Sequence, residues 1–289
     1  MRNVFFSLVA VLAGGLSLST DARPAVSAAS AATPAPHRAT VVTVTTRDYA
    51  FDAPDTIPAG RTTIRLVNKG PDFHHVWLVQ LQGGRTLADL AAAMQKGEGP
   101  MPAWTTDVGG PNSPMPGGES IATLDLAPGR YAMLCVIPAM KDGVPHVMKG
   151  MMKEITVAPA TGARFVSREV SAPDVVMTLG DYDFRFSRPI AAGSRTIRIT
   201  NAAAQSHEAV IIRLTGGATA QSFLAAMSKP GTPPPGEIVG GVTPIARGRW
   251  IDLTATFTPG EYALLCFAPD AKDGKPHIEH GMVTQFRVQ

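Results

Sequence analysis

An internal duplication constrains this chain more than any other feature. Asp48-Tyr49-Ala50-Phe51 matches Asp181-Tyr182-Asp183-Phe184 at an offset of 133 residues. At the same offset Thr63-Ile64-Arg65-Leu66-Val67-Asn68 matches Thr196-Ile197-Arg198-Ile199-Thr200-Asn201, and His74 falls on His207. Gly83-Gly84 falls on Gly216-Gly217, and Ala92-Ala93-Met94 on Ala225-Ala226-Met227. The offset then drops to 131: Pro128-Gly129-Arg130-Tyr131 matches Pro259-Gly260-Glu261-Tyr262, Cys135 matches Cys266, His146 matches His277, and Gly150-Met151 matches Gly281-Met282. One net two-residue deletion accounts for the change. Each copy spans 118 residues, 41–158 and 172–289, an ordinary size for one domain, with 159–171 as the linker.

Strand signals dominate each copy. Val41 to Thr46, Thr62 to Asn68, His75 to Leu81, Ile121 to Leu126 and Tyr131 to Ile137 are β-branched or alternating runs bounded by Gly, Pro, Asn or Asp. One helical stripe interrupts them, Leu87, Leu90, Ala91 and Met94 behind the N-cap candidate Thr86. Phe223, Leu224 and Met227 repeat it behind Thr219. The pattern predicts an all-β chain of two tandem Greek-key β-sandwiches, each with one short helix inserted.

Before the repeats lies a different kind of segment. Met1-Arg2-Asn3 is a short basic start, Val4 to Ser19 is apolar or small, and Ala22 and Ala28 offer cleavage points. Residues 1–28 read as a signal peptide, so the protein is expected to be exported, periplasmic or secreted. Residues 29–40, rich in Ala and Pro, read as a flexible leader. An uncleaved anchor is the alternative, which Gly14, Gly15 and several Ser suit poorly, so no membrane span is expected in the mature chain. The net charge is only +3, and no basic run interleaves with aromatics, which argues against a nucleic-acid partner.

Each copy gathers metal-ligating residue types near its end. A strand closes on Cys135 or Cys266, ten residues follow, and then come His146 with Met151 or His277 with Met282. His74 and His207 stand far upstream, before apolar strands. Two imidazoles, one thiolate and a weak axial thioether form the set that holds a blue copper ion. Zinc has little use for a thioether, so the methionines favour copper. Alternatives remain open: a sandwich holding no metal, or a Cys135–Cys266 disulfide, which equivalent interior strand ends of two sandwiches are poorly placed to form.

The run Pro128-Gly129-Arg130-Tyr131-Ala132-Met133-Leu134-Cys135, with Pro145-His146, Gly150-Met151, Asn68 and His74, resembles the cupredoxin family. So do Pro259 to Cys266, Pro276-His277, Gly281-Met282, Asn201 and His207. The resemblance implies two blue type 1 copper sites, one copper per domain at most. His74, Cys135, His146 and Met151 would hold one, and His207, Cys266, His277 and Met282 the other. The implied function is single-electron transfer with a redox partner protein. A copper carrier or resistance module, or a metal-free interaction domain, is the other reading. The ten-residue Cys-to-His spacing exceeds that of simple carriers and is similar to the longer loop of copper nitrite reductases.

No His-x-His pair serves a trinuclear cluster, and Leu134 and Leu265 stand where a type 2 copper would need a histidine. With no other catalytic motif, the chain is expected not to be an enzyme. Three histidines fall outside the ligand sets: His37 in the leader, His75, whose counterpart is Glu208, and His280, expected on a loop surface. Met101, Met115, Met140, Met148 and Met152 crowd the first copy and are expected to pack in core and loops.

Overall fold

The structure, a computed structural model, describes residues 39–96, 101–160, 172–227, 229 and 233–289. The expected signal peptide, the expected leader up to residue 38 and most of the expected linker lie outside the described residues. In the first half the strands are β1 (Thr40–Arg47), β2 (Ala50–Asp52), β3 (Thr56–Pro58), β4 (Gly60–Asn68), β5 (Trp77–Leu81), β6 (Thr105–Gly109), β7 (Glu119–Leu126), β8 (Gly129–Leu134) and β9 (Met152–Ala158). In the second they are β10 (Val175–Gly180), β11 (Asp183–Phe186), β12 (Gly193–Asn201), β13 (His207–Leu214), β14 (Gly236–Ile245), β15 (Trp250–Phe257), β16 (Gly260–Leu265) and β17 (Val283–Val288). Two helices interrupt them, α1 (Leu87–Met94) and α2 (Ala220–Met227). The all-β expectation holds.

The strands form three sheets. One is eight-stranded, in the order β11-β10-β12-β15-β7-β4-β1-β2. The others are five-stranded, β3-β9-β8-β5-β6, and four-stranded, β14-β13-β16-β17. Strand β1 runs parallel to β4, with Val42 opposite Ile64 and Val44 opposite Leu66. Strands β10 and β12 pair in the same sense, with Met177 opposite Ile199. These alternating strands turn one set of side chains inward and leave the other at the surface.

The strands of the smaller sheets are apolar on both faces, and the reason is the helices. Leu78, Tyr131 and Met133 face the main core, while Trp77, Val79, Ala132 and Leu134 pack with Leu90 of α1. Helix α2 covers Ile212 and Leu265 in the same way with Phe223. Helix α1 starts where Thr86 predicts, closed by a capping box with Asp89.

The sequence carries no sign that the halves share a sheet. Strand β7 pairs antiparallel with β15 through Ile121–Thr254, Ala122–Leu253 and Thr123–Asp252, which makes the eight-stranded sheet continuous across both halves. Buried Asp252 stands at this seam, 2.5 Å from Arg61 of the first half and 2.9 Å from Arg198 of the second. Both guanidinium groups stack on Trp250. Among the described residues no helix is long and apolar enough to cross a membrane.

Candidate metal centres

Each centre is assembled where strands leave the sheet. Strand β8 stops at Leu134, short of the predicted Ile137, so Cys135 opens the loop instead of lying within the strand. The ten residues before His146 fold back on themselves: Pro138 bridges Pro145, Ala139 N–H donates to Val144 O (3.0 Å) and Gly143 N–H to Ala139 O (2.8 Å). His146 N–H then donates to Ile137 O (3.0 Å). The long spacing is therefore a small hairpin whose ends meet, and Cys135 and His146 come together as if the connection were short. Pro269–Pro276, Asp270 N–H to Lys275 O (2.8 Å) and His277 N–H to Ala268 O (3.0 Å) build the same hairpin in the second half.

A single helical turn follows, His146–Lys149 or His277–His280, each ended by a glycine in the left-handed region. Gly150 has φ 92° and Gly281 φ 88°, a conformation that suits glycine and reverses the chain onto the methionine. Met151 N–H donates to His146 O (2.9 Å), and Cys135 N–H to Met151 O (3.2 Å). Backbone bonds thus hold Cys, His and Met as one unit. The upstream histidines are placed by Asn68 and Asn201. Asn68 Nδ2 donates to Asp72 O (2.8 Å) and its carbonyl accepts from Gly70 N–H (3.0 Å), which shapes the turn before His74. Asn201 does the same with Gln205 and Ala203.

The structure brings the sequence-selected residues together in two groups. His74, Cys135 and His146 have ligand atoms within 4.8 Å of one another, as do His207, Cys266 and His277. In the first group the two Nδ1 atoms are 3.1 Å apart, and Cys135 Sγ is 3.4 Å from His146 Nδ1. In the second, Cys266 Sγ is 3.4 Å from His277 Nδ1 and 3.9 Å from His207 Nδ1, and Met282 Sδ lies 3.1 Å from His207 Nδ1. All eight residues, Met151 included, have no exposed surface. Both cysteines are free, which removes the disulfide alternative.

Carboxylates stand behind the rings. His74 Nε2 lies 2.6 Å from Asp48 and His146 Nε2 3.3 Å from Asp72, while His207 Nε2 lies 3.1 Å from Asp181 and His277 Nε2 3.7 Å from Asp270. At His74, His146 and His207 the carboxylate draws the ring proton to Nε2 and leaves Nδ1 with a bare lone pair, while His277 Nε2 is buried with no hydrogen-bond partner among the described residues. In the first group two such lone pairs face each other, and in the second a lone pair faces a thioether. A cation between them relieves that opposition, so the residues present fit a metal. Soft sulfur beside imidazole makes copper the metal they fit best. Burial and the neighbouring ring lower the His146 and His277 pKa values, His277 to about 4, so neither ring is charged at neutral pH. Burial also pushes the Cys135 thiol up to about 12 and raises Cys266.

Asp48-Tyr49 and Asp181-Tyr182 mark the duplication in the sequence, but their role emerges only in space. Beyond the aspartate contacts, Tyr49 packs against His146 at 4.7 Å and Tyr182 against His277 at 5.4 Å between ring centroids. The carboxylate behind the second histidine sits on different loops in the two halves. Gln205 occupies the place of Asp72, while Asp270 occupies that of Ala139 and is held by Gln205 and Tyr182. Gly70 is a further requirement, since a Cβ there would stand 2.5 Å from Asp48 Oδ1 and 2.7 Å from His74 Nε2. Of the remaining histidines, His75 is buried outside the ligand group, and His280 pairs with Asp273 at 3.2 Å on the loop surface. Met115, Met140 and Met148 are exposed, contrary to the packing expected of them; Met140 stands on the hairpin and Met148 on the helical turn that follows it.

No family model and no curated protein matches the chain. Among solved structures it is similar to dithionite-reduced auracyanin from Roseiflexus castenholzii, with 26% identity over 43% of this chain and 100% of that one, at a TM-score of 0.28. Auracyanin A of Chloroflexus aurantiacus, a "blue" copper protein, is 21% identical over 40% of this chain and 98% of that one, at 0.26. A blue copper oxidase from Nitrosomonas europaea is 12% identical over 87% of this chain and 86% of that one, at 0.25. An oxidase among these structures corrects the expectation that the chain is not an enzyme. That expectation counted histidines for two particular copper clusters, and the count leaves other catalytic arrangements open. With its all-β fold and two buried His–Cys–His groups suited to type 1 copper, the chain is cupredoxin-like and copper-binding.

Proposed function

We propose that the protein is exported and transfers single electrons through two type 1 copper centres. They would be carried by tandem Greek-key sandwiches over 41–158 and 172–289. His74, Cys135, His146 and Met151 would hold one ion, and His207, Cys266, His277 and Met282 the other. The observation that carries this reading is the convergence, in both halves, of imidazole Nδ1 atoms and a cysteine sulfur in a fully buried group. Copper supplies the Cu(I)/Cu(II) couple. The chain supplies a rigid seat: hairpin, glycine-capped turn and backbone bonds fix the donor atoms before metal arrives, so little rearrangement accompanies a change of charge. Asp48, Asp72 and Asp181 orient the rings of His74, His146 and His207, and burial excludes water from the sulfur.

Spectroelectrochemistry on the Cu(II)-loaded mature protein tests this. An intense visible thiolate-to-copper band should bleach with one electron per copper and return in full on reoxidation. Absence of the band, or loss of copper on reduction, would contradict electron transfer, and the second outcome would point to a copper carrier.

A further inference from the structure

The two halves differ at one corner of their hairpins. In the first, Lys149 sets an ammonium against Asp142, with Nζ 2.6 Å from Oδ2, and lies over the Tyr49 ring at 4.9 Å. The offset of the duplication puts His280 in the place of Lys149, Asp273 in that of Asp142 and Asp270 in that of Ala139. His280 keeps the same seat: it stacks on Tyr182 at 5.0 Å between ring centroids, with Nε2 3.2 Å from Asp273 Oδ1. The second half therefore exchanges an ammonium for an imidazole and gains a carboxylate. Among the described residues neither Asp270 nor Asp273 is paired with a lysine or arginine.

What stands there instead is a set of metal donors. One oxygen from each aspartate and one ring nitrogen of His280 lie within 4.8 Å of one another. Asp270 Oδ1 accepts from Lys272 N–H (2.8 Å), while Tyr182 Oη and Gln205 Nε2 (3.0 Å) donate to Oδ2. Asp273 Oδ1 accepts from Lys275 N–H (3.0 Å) and faces His280. A carboxylate offers about four lone pairs, so each aspartate retains capacity for a cation.

An independent sign of a ligand comes from His277. Its ring has no exposed surface, and Nε2 finds no hydrogen-bond partner among the described residues, although it faces Asp270 Oδ2 at 3.7 Å. An ion held by three protein donors keeps a further position for water. A water held there is the partner that Nε2 lacks.

We propose that Asp270, Asp273 and His280 form a further metal site, which takes a divalent cation where the first half carries the Lys149 ammonium. Imidazole with two carboxylates suits Zn(II), whereas Ca(II) takes oxygen ligands alone. The absence of sulfur from the donor set separates this site from the two His–Cys–His groups. It exists whether or not those groups hold copper.

The test is a titration of Zn(II) into the full-length mature protein, followed through the ring nitrogen signals of its histidines. The His280 signals should shift and saturate with one equivalent of zinc. His280→Lys copies the Lys149–Asp142 pair that the first half already folds with, and it should lose that equivalent while uptake elsewhere is unchanged. Asp273→Asn, on the exposed loop, should weaken zinc at His280 by more than the roughly tenfold that losing an outer hydrogen-bond partner costs. A His280 ring that does not respond to zinc, or zinc uptake equal in the unmodified protein and His280→Lys, would overturn the proposal. Copper plays no part in these readings, so failure of the copper centres would leave them decisive.

Discussion

Cys135 and Cys266 are thiols before they are ligands. Burial holds Cys135 up at about 12 and raises Cys266, while His146 and His277 are held neutral. Copper entering at neutral pH must displace a proton from each thiol and none from these rings. Loading should therefore release at least one proton per centre, and affinity should rise with pH. Calorimetric titration in buffers of different ionisation enthalpy measures the proton count, and zero release would mean the sulfurs stay protonated. The ligand residues were legible in the sequence because the duplication repeats all four types at fixed spacing. Asp48 and Asp181 were legible only as repeated letters, since nothing local shows that an aspartate will face a ring 26 residues on. The group of Asp270, Asp273 and His280 left no signal, because the first half has Ala139 and Lys149 in two of its places.

Among the elements, strands and helices were read closely where burial follows one period. The margins failed where tertiary packing overrode it. Strands β5 and β8 are buried on both faces, so their apolar runs continue past the true ends, and the hairpin between Cys135 and His146 hid in a stretch that reads as an open loop. Strand β8 and its counterpart β16 are tied to the preceding turns by Tyr131 Oη donating to Ala127 O (2.7 Å) and Tyr262 Oη to Thr258 O (3.0 Å). Both rings are buried near the start of the strand that ends just before the cysteine. Tyr131→Phe keeps the ring and strands Ala127 O, so it should cost about 1 kcal/mol in urea-induced unfolding. A cost within error of zero would show that the bond does not hold the corner.

At the scale of the whole molecule, the seam between the halves is the feature the sequence conceals, because a repeat comparison aligns equivalent faces and says nothing of which faces meet. The seam also carries Asp107, a partly buried residue whose Oδ1 has no hydrogen-bond partner among the described residues, and whose pKa burial raises to about 6. A carboxyl raised in the folded state favours folding while protonated. Its contribution is complete below the ordinary value of 3.8 and is lost as pH climbs through 6. Wild-type protein should thus lose on the order of 2 kcal/mol between pH 4 and pH 7 relative to Asp107→Asn, in parallel denaturant titrations. Parallel curves for the two proteins would contradict it.

The most direct measurement is copper stoichiometry together with the visible spectrum, taken on the mature protein and on Cys135→Ser and Cys266→Ser. Two coppers per chain are expected, with one copper and part of the band lost in each variant and both lost in the double variant. Colour that survives both substitutions, or a chain that takes no copper while folded, would contradict the two His–Cys–His groups as its metal centres.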